Sequence, residues 1–233
     1  AGGVALNCVS NGKLLRSGIF DDIYIQPASG DAGGSIGCAL LTWYKYLDNE
    51  RTTVNGSDFM KGAFLGPNFS NDTIRSYLDD RKYKYEQLSN EELPEQIADL
   101  IAGQNVIGWF QGRMEFGPRA LGSRTIIGDA RSPETQKTIN LKIKYRESFR
   151  PFAPSVRADN ISEYFDIDRE SPYMLLVADV IKDKQSPITK DESSYFGLEK
   201  LNVIRSDIPA VTHVDYSARI QSVNKDTNPR YYD

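Results

Sequence analysis

Helix and strand signals alternate from Ser70 to the end of the chain, and a strand, glycine loop and helix pattern lies ahead of them, so the sequence predicts an α/β (α+β) protein. A further observation concerns charge. The stretch Gly108–Pro154 carries Arg113, Arg119, Arg124, Arg131, Lys144, Arg146 and Arg150 within a chain of formal net charge −4. A cationic block inside an acidic chain is a placed feature, and its natural targets are anions. Gly112, Gly117, Pro118 and Gly122 within the block let backbone N–H groups approach a ligand closely, as phosphate-cradling loops require. The expected ligand carries phosphate.

Composition bounds the rest. With 233 residues, 39% of them hydrophobic, the chain is long enough for a core. No apolar run approaches the roughly 18 residues of a membrane span, so no membrane contact is expected. The opening AGGVALN lacks the basic and apolar regions of a secretory signal. Only Cys8 and Cys38 occur, which argues against a disulfide framework or structural zinc and fits a cytoplasmic location. The net negative charge gives no general affinity for nucleic acid, and no nucleic-acid partner is expected.

Taken in order, residues 1–15 read as a glycine turn, a short apolar run and a polar turn at Ser10–Gly12. Ile23 and Ile25 alternate with Tyr24 and Gln26, which predicts a strand closed by Pro27. A glycine-rich loop then leads into an apolar helix from about Ser35 to Leu47. Asp31 falls before this helix, where anions are favoured, and reads equally as an N-cap or turn residue. Residues 48–73 are polar and aperiodic, and a domain boundary is placed there. Their glycosylation-like triplets, Asn55-Gly56-Ser57 among them, carry no weight in a cytoplasmic chain.

From Ser70 a capped helix is expected, with Ile74, Tyr77 and Leu78 on one face. YKYEQLS reads as a strand, NEELPEQIADLIAGQ as a helix stopped at Gly103, and NVIGWFQG as a strand entering the cationic block. SPETQKTINLKIKY predicts a helix with Ile139 and Ile143 on one face; FAPSV and PYMLLVADV predict strands, with EYFDI a short helical or turn connection. Residues 182–207 read as a loop, and IPAVTHVDYSARIQSV as two strands separated by a turn near Asp215–Ser217. His213 then lies in a strand, as a structural residue or a general base. The tail NKDTNPRYYD is expected to add no closing element. Glu115 reads as an orienting partner for arginines, and Trp109 and Phe110 as core aromatics or adenine stackers.

GRMEFGPRALGSR followed by KYRESFRPFAPS resembles the O-carbamoyltransferase family of nodulation and antibiotic biosynthesis, and the resemblance runs from GGVALN to THVDYSARIQSV, nearly the whole chain. It implies a piece of a longer protein. Residues 1–48 would close an actin-like, sugar-kinase-like carbamoyl-transfer domain, residues 49–69 would be a linker, and residues 70–233 would form a YrdC-like twisted mixed sheet with helices. The implied activity joins carbamoyl phosphate to ATP as carbamoyl-adenylate and passes the carbamoyl group to a hydroxyl of a small-molecule or sugar acceptor. The alternative is an RNA- or nucleotide-binding YrdC-like module without catalysis.

Residue by residue, the resemblance makes Arg119, Lys144, Arg150 and Arg219 catalytic ligand contacts, with Arg146 a further nucleotide contact. Gly2, Gly3 and Asn7 would touch nucleotide as well. Asp31 would ligate divalent iron, magnesium being a further candidate ion, together with two histidines lying upstream. His213 is the single histidine of this chain, so iron is not expected to be held tightly here, and the chain alone is expected to catalyse neither half-reaction well. ATP, carbamoyl phosphate and a hydroxyl-bearing acceptor are the implied partners, and a homodimer the candidate assembly.

Overall fold

The computed structural model describes residues 2–52 and 58–233; the triplet Asn55-Gly56-Ser57 lies outside them. Helices and small sheets alternate, as an α/β chain requires. A 3-10 turn at Gly3–Leu6 leads into α1 (Cys8–Arg16), and α2 (Asp31–Leu41) continues as a π-helical turn, Thr42–Tyr46. After it come α3 (Asn71–Asp80), α4 (Glu92–Ala102), β1 (Ile107–Phe110) and β2 (Arg124–Ile127). Next are α5 (Pro133–Thr138), a second π-helical turn at Ile139–Ile143, β3 (Ser155–Arg157), β4 (Phe165–Asp166) and β5 (Val177–Val180). The chain then runs through α6 (Lys190–Ser193), β6 (Ser217–Arg219) and β7 (Gln221–Val223) to α7 (Pro229–Tyr232). No helix among the described residues is long and apolar enough to cross a membrane.

The strands form three small sheets: β1 antiparallel to β2, β3 parallel to β7, and β4–β5–β6 antiparallel throughout. The main core lies beneath the last two, where Phe165, Val180, Ala218 and Ile220 are almost fully buried with Ile161, Ile208 and Val211 around them. Burying such side chains supplies about 1.5–3 kcal/mol each, which fixes this end of the chain.

Several local expectations hold. Ser70 caps α3 by accepting from the Thr73 amide at 3.1 Å, α4 ends at Gly103, β1 lies within NVIGWFQG and β3 overlaps FAPSV. Others do not. Residues 22–26, read as a strand, and residues 83–89, read as another, have no ladder partner and form no strand. The helix expected from Ser35 begins at Asp31. The tail carries a closing element after all, α7, whose Tyr232 is buried. Ile139 is buried but Ile143 is 40% exposed, because the π-helical turn rotates the expected shared face apart. Ala63 is buried and its carbonyl accepts from the Phe116 amide at 2.7 Å, which sets residues 58–67 against the cationic block.

The expected polar turn at Ser10–Gly12 is helical, because Asn7 Oδ1 accepts from the Ser10 amide at 3.1 Å and caps α1. Gly12 serves packing instead. A Cβ there would lie 2.6 Å from the Val177 carbonyl oxygen, while Asn11 Nδ2 donates to Leu175 O at 3.1 Å and Arg16 to Val177 O at 2.8 Å. α1 therefore lies directly on β5. Gly12→Ala is expected to destabilise the chain by about 1–3 kcal/mol through overpacking, whereas Gly34→Ala, with nothing within 4 Å, should be neutral or stabilising. Thermal unfolding of the two variants side by side checks this.

Candidate functional site

The cationic block folds around a buried carboxylate. Glu115 is 4% exposed, and its Oε1 accepts from the backbone amides of Leu121 at 2.6 Å, Ser123 at 2.9 Å and Arg124 at 3.4 Å. Its Oε2 lies 3.2 Å from Arg124 Nε. Glu115 thus orients an arginine, as expected, and also ties the loop Phe116–Ser123 to itself. Gly122 completes that loop with φ of 108°, at a place where a Cβ would come 2.4 Å from the Tyr231 ring. Trp109 Nε1 donates to Gly122 O at 2.9 Å and its ring lies beside Tyr231, so Trp109 is a packing aromatic; Phe110 is exposed.

This loop forms one wall of a cleft of about 1040 Å³, bounded also by β2, the end of the second π-helical turn, the loop before β3, and β6. Arg119, Lys144, Arg146, Arg150 and Arg219 all line it, although about a hundred residues separate the first from the last. Their environments differ. Arg150 is exposed and pairs with Glu147 at 2.7 Å, and Lys144 is exposed at the end of the π-helical turn. Arg119, Arg146 and Arg219 are half-buried and form no ion pair among the described residues.

Arg119 donates to Leu6 O at 3.3 Å, and the Nε atoms of both Arg119 and Arg219 are buried without a hydrogen-bond partner among the described residues. Burial pulls the Arg219 guanidinium below its ordinary value, and the neighbouring charges of Arg119 and Arg146 add to that shift. Like charges that share one cleft without an ion-pair partner among the described residues repel one another, and an anion entering between them offsets the repulsion and supplies the missing hydrogen bonds. The other arginines of the block are already engaged: Arg124 with Glu115, Arg131 with Asp129 at 2.8 Å, and Arg113 with Gly66 O at 3.0 Å.

Gly2, Gly3, Asn7 and Asp31 do not line the cleft. Asn7 is occupied as the α1 cap, and Asp31 is exposed as the first residue of α2. No group of three or more His, Cys, Asp or Glu side chains among the described residues is placed to hold a metal ion. Only the chain's own groups enter the steps proposed below.

His213 lies outside any strand, just before the turn into β6, and its Nδ1 is 3.0 Å from Ser217 Oγ. The ring is not among the cleft lining. Burial lowers its pKa, Asp215 opposing and Arg219 assisting. A histidine whose folded value lies below the unfolded value of about 6.5 takes up its proton first in the unfolded chain. Stability is then complete above about pH 6.5 and falls as the pH drops through that value, by at most about 1.4 kcal/mol per pH unit. Melting curves between pH 7.5 and 5.5 should show this loss, and His213→Asn should flatten it, since the chain has no other histidine.

Asn140 and Gln136 escaped the sequence reading. Each is polar inside a run read as a helix with an apolar face, and both hold the loop that carries Arg146 and Arg150. An asparagine inside a helical run, where it is a poor helix former, is the signal that was there to find.

A family model described as Carbamoyltransferase C-terminus matches residues 98–233, and one described as Carbamoyltransferase N-terminus matches residues 1–40. Over the full chain, the sequence is 58% identical to an uncharacterized protein of Synechocystis sp. and 39% identical to the nodulation protein NolO of Bradyrhizobium diazoefficiens. It is 31% identical, again over its full length, to the 3'-hydroxymethylcephem-O-carbamoyltransferase of Amycolatopsis lactamdurans. The matched stretch makes up 38%, 39% and 38% of those three proteins, so the chain spans about two fifths of the length of the curated relatives it matches.

Proposed function

The chain belongs to the carbamoyltransferase family, and from that premise we propose that its cleft binds ATP and carbamoyl phosphate and joins them as carbamoyl-adenylate, for transfer of the carbamoyl group to a hydroxyl of a small molecule or sugar. The observation that carries this reading is the meeting of Arg119, Arg146 and Arg219 on one cleft without carboxylate partners. Two polyanions must come together in such a reaction, and fixed cations offset their repulsion. Water first cleaves carbamoyl phosphate to carbamate and inorganic phosphate; a carbamate oxygen then bonds to the α-phosphorus of ATP as pyrophosphate leaves, and guanidinium groups stabilise the charge gathering on the departing phosphates. The half-buried arginines suit bidentate contacts to phosphate, and exposed Lys144 a mobile point contact at the mouth. The 3'-hydroxymethylcephem-O-carbamoyltransferase relative supports a hydroxyl acceptor by name.

Calorimetry with ATP and carbamoyl-phosphate-dependent release of pyrophosphate from ATP test the reading, on this chain and on any longer reading frame that carries it. ATP is expected to bind and to raise the melting temperature, and pyrophosphate release to require carbamoyl phosphate. Absence of any nucleotide effect, together with salt-dependent retention of RNA, would replace this reading with a non-catalytic binding module.

A further inference from the structure

We infer that Asn140 is a positioning residue, which fixes the loop of residues 144–150 and aims the Arg146 guanidinium into the cleft. For the ligand the inference rests on the nucleotide reading above; for the loop it stands on geometry alone.

Asn140 is fully buried on the second π-helical turn, where an amide must satisfy both its donors and its acceptor. It does so entirely with the loop. Nδ2 donates to Ser148 O at 3.0 Å and to Arg150 O at 2.8 Å, and Oδ1 accepts from Arg146 Nε at 2.6 Å. Its own carbonyl accepts from the Arg146 amide at 3.0 Å. One turn earlier, Gln136 Nε2 also donates to Arg150 O, at 3.1 Å. The loop has no ladder or helix of its own, and Tyr145 within it takes a left-handed φ of 48°, so these amides supply its order.

Arg146 gains direction from the same clamp. Its Nε is engaged by Asn140, and its guanidinium carbon lies 5.1 Å from the Phe152 ring centroid, which leaves the two terminal nitrogens for an anion. Aspartate cannot replace Asn140, since it has no donor and would face the two loop carbonyls with like partial charge. Leucine would leave both carbonyls unmet. A residue needed only to fill the core would require neither the donors nor the contact to Arg146.

Asn140→Asp is the test, read by trypsin cleavage after Lys144 and Arg146 and by calorimetry with ATP. The variant should keep a cooperative thermal transition, while cleavage in the loop accelerates about tenfold and the ATP dissociation constant rises about tenfold. Combined with Arg146→Ala, its effect on affinity should fall short of the product of the single losses, because the two act through one group. Gln136→Leu, which removes one of the two bonds to the Arg150 carbonyl, should move both readouts in the same direction by a smaller factor, and it serves if Asn140→Asp fails to fold. Unchanged loop cleavage, or affinity losses that multiply fully with Arg146→Ala, would overturn the inference. A wild-type chain that binds no ATP, with faster loop cleavage in Asn140→Asp, would overturn the nucleotide reading and uphold the clamp.

Discussion

Arg219→Met is expected to raise the thermal stability of the ligand-free chain and to abolish its response to ATP. The two effects have one cause. Arg219 is half-buried on β6 with an unpartnered Nε and with Arg119 and Arg146 as like-charged neighbours. A charge in such a place costs free energy until an anion arrives, and methionine keeps much of the volume without the charge. A gain of about 1 kcal/mol corresponds to about 2–4 °C for a chain of this length. Loss of the guanidinium removes a partly desolvated charged contact to the ligand, for which about 2–5 kcal/mol is typical, or about thirtyfold or more in affinity. Melting curves with and without ATP read both arms. A lower melting temperature with an unchanged ATP response would show that Arg219 is a structural cation.

Glu115→Ala should be the most damaging single change to stability. It strips the acceptor from buried amides at Leu121 and Ser123, the longer contact at Arg124, and the ion-pair partner of Arg124. Removing one member of a buried charged network costs about 3–5 kcal/mol, a large part of the stability of a typical domain. Because the released loop carries Arg119, ATP affinity should fall with it. Glu115→Gln keeps one acceptor oxygen and should lose about half as much, and this intermediate variant gives a measurable curve if the alanine form does not fold. Urea unfolding is the measurement; a loss below about 1 kcal/mol for Glu115→Ala would mean that the loop finds its shape without the carboxylate.

The elements legible in the sequence are those whose signals lie among neighbouring residues. Ser70 and its acidic first turn mark the start of α3, Gly103 marks the end of α4, and the apolar GWF that opens the block marks β1. The strands read at residues 22–26 and 83–89 had the right composition and no partner, and a strand is stabilised by what pairs with it. α1 escaped notice because Gly12 looked like a turn residue, when its missing side chain lets the helix lie on Val177. The tail read as open closes as α7 because Tyr232 finds a buried place against Arg157, which a local pattern cannot announce.

The sequence by itself determined the α/β class, the cationic character of Gly108–Pro154 and the family, and its resemblance named five basic residues as site candidates. These follow from composition, caps and long motifs, which are local properties of the chain. Only the tertiary structure decided which of those cations stay without an ion pair among the described residues, since Arg150 meets Glu147 and Arg124 meets Glu115 while Arg119, Arg146 and Arg219 line one cleft. It decided equally that Asn140 would spend its amide on the loop of residues 144–150 and that His213 would be buried beside Ser217. Burial and charge pairing depend on contacts between residues far apart in sequence, such as the pairings of β6 with β5 and of β7 with β3, and no local pattern encodes their free energies.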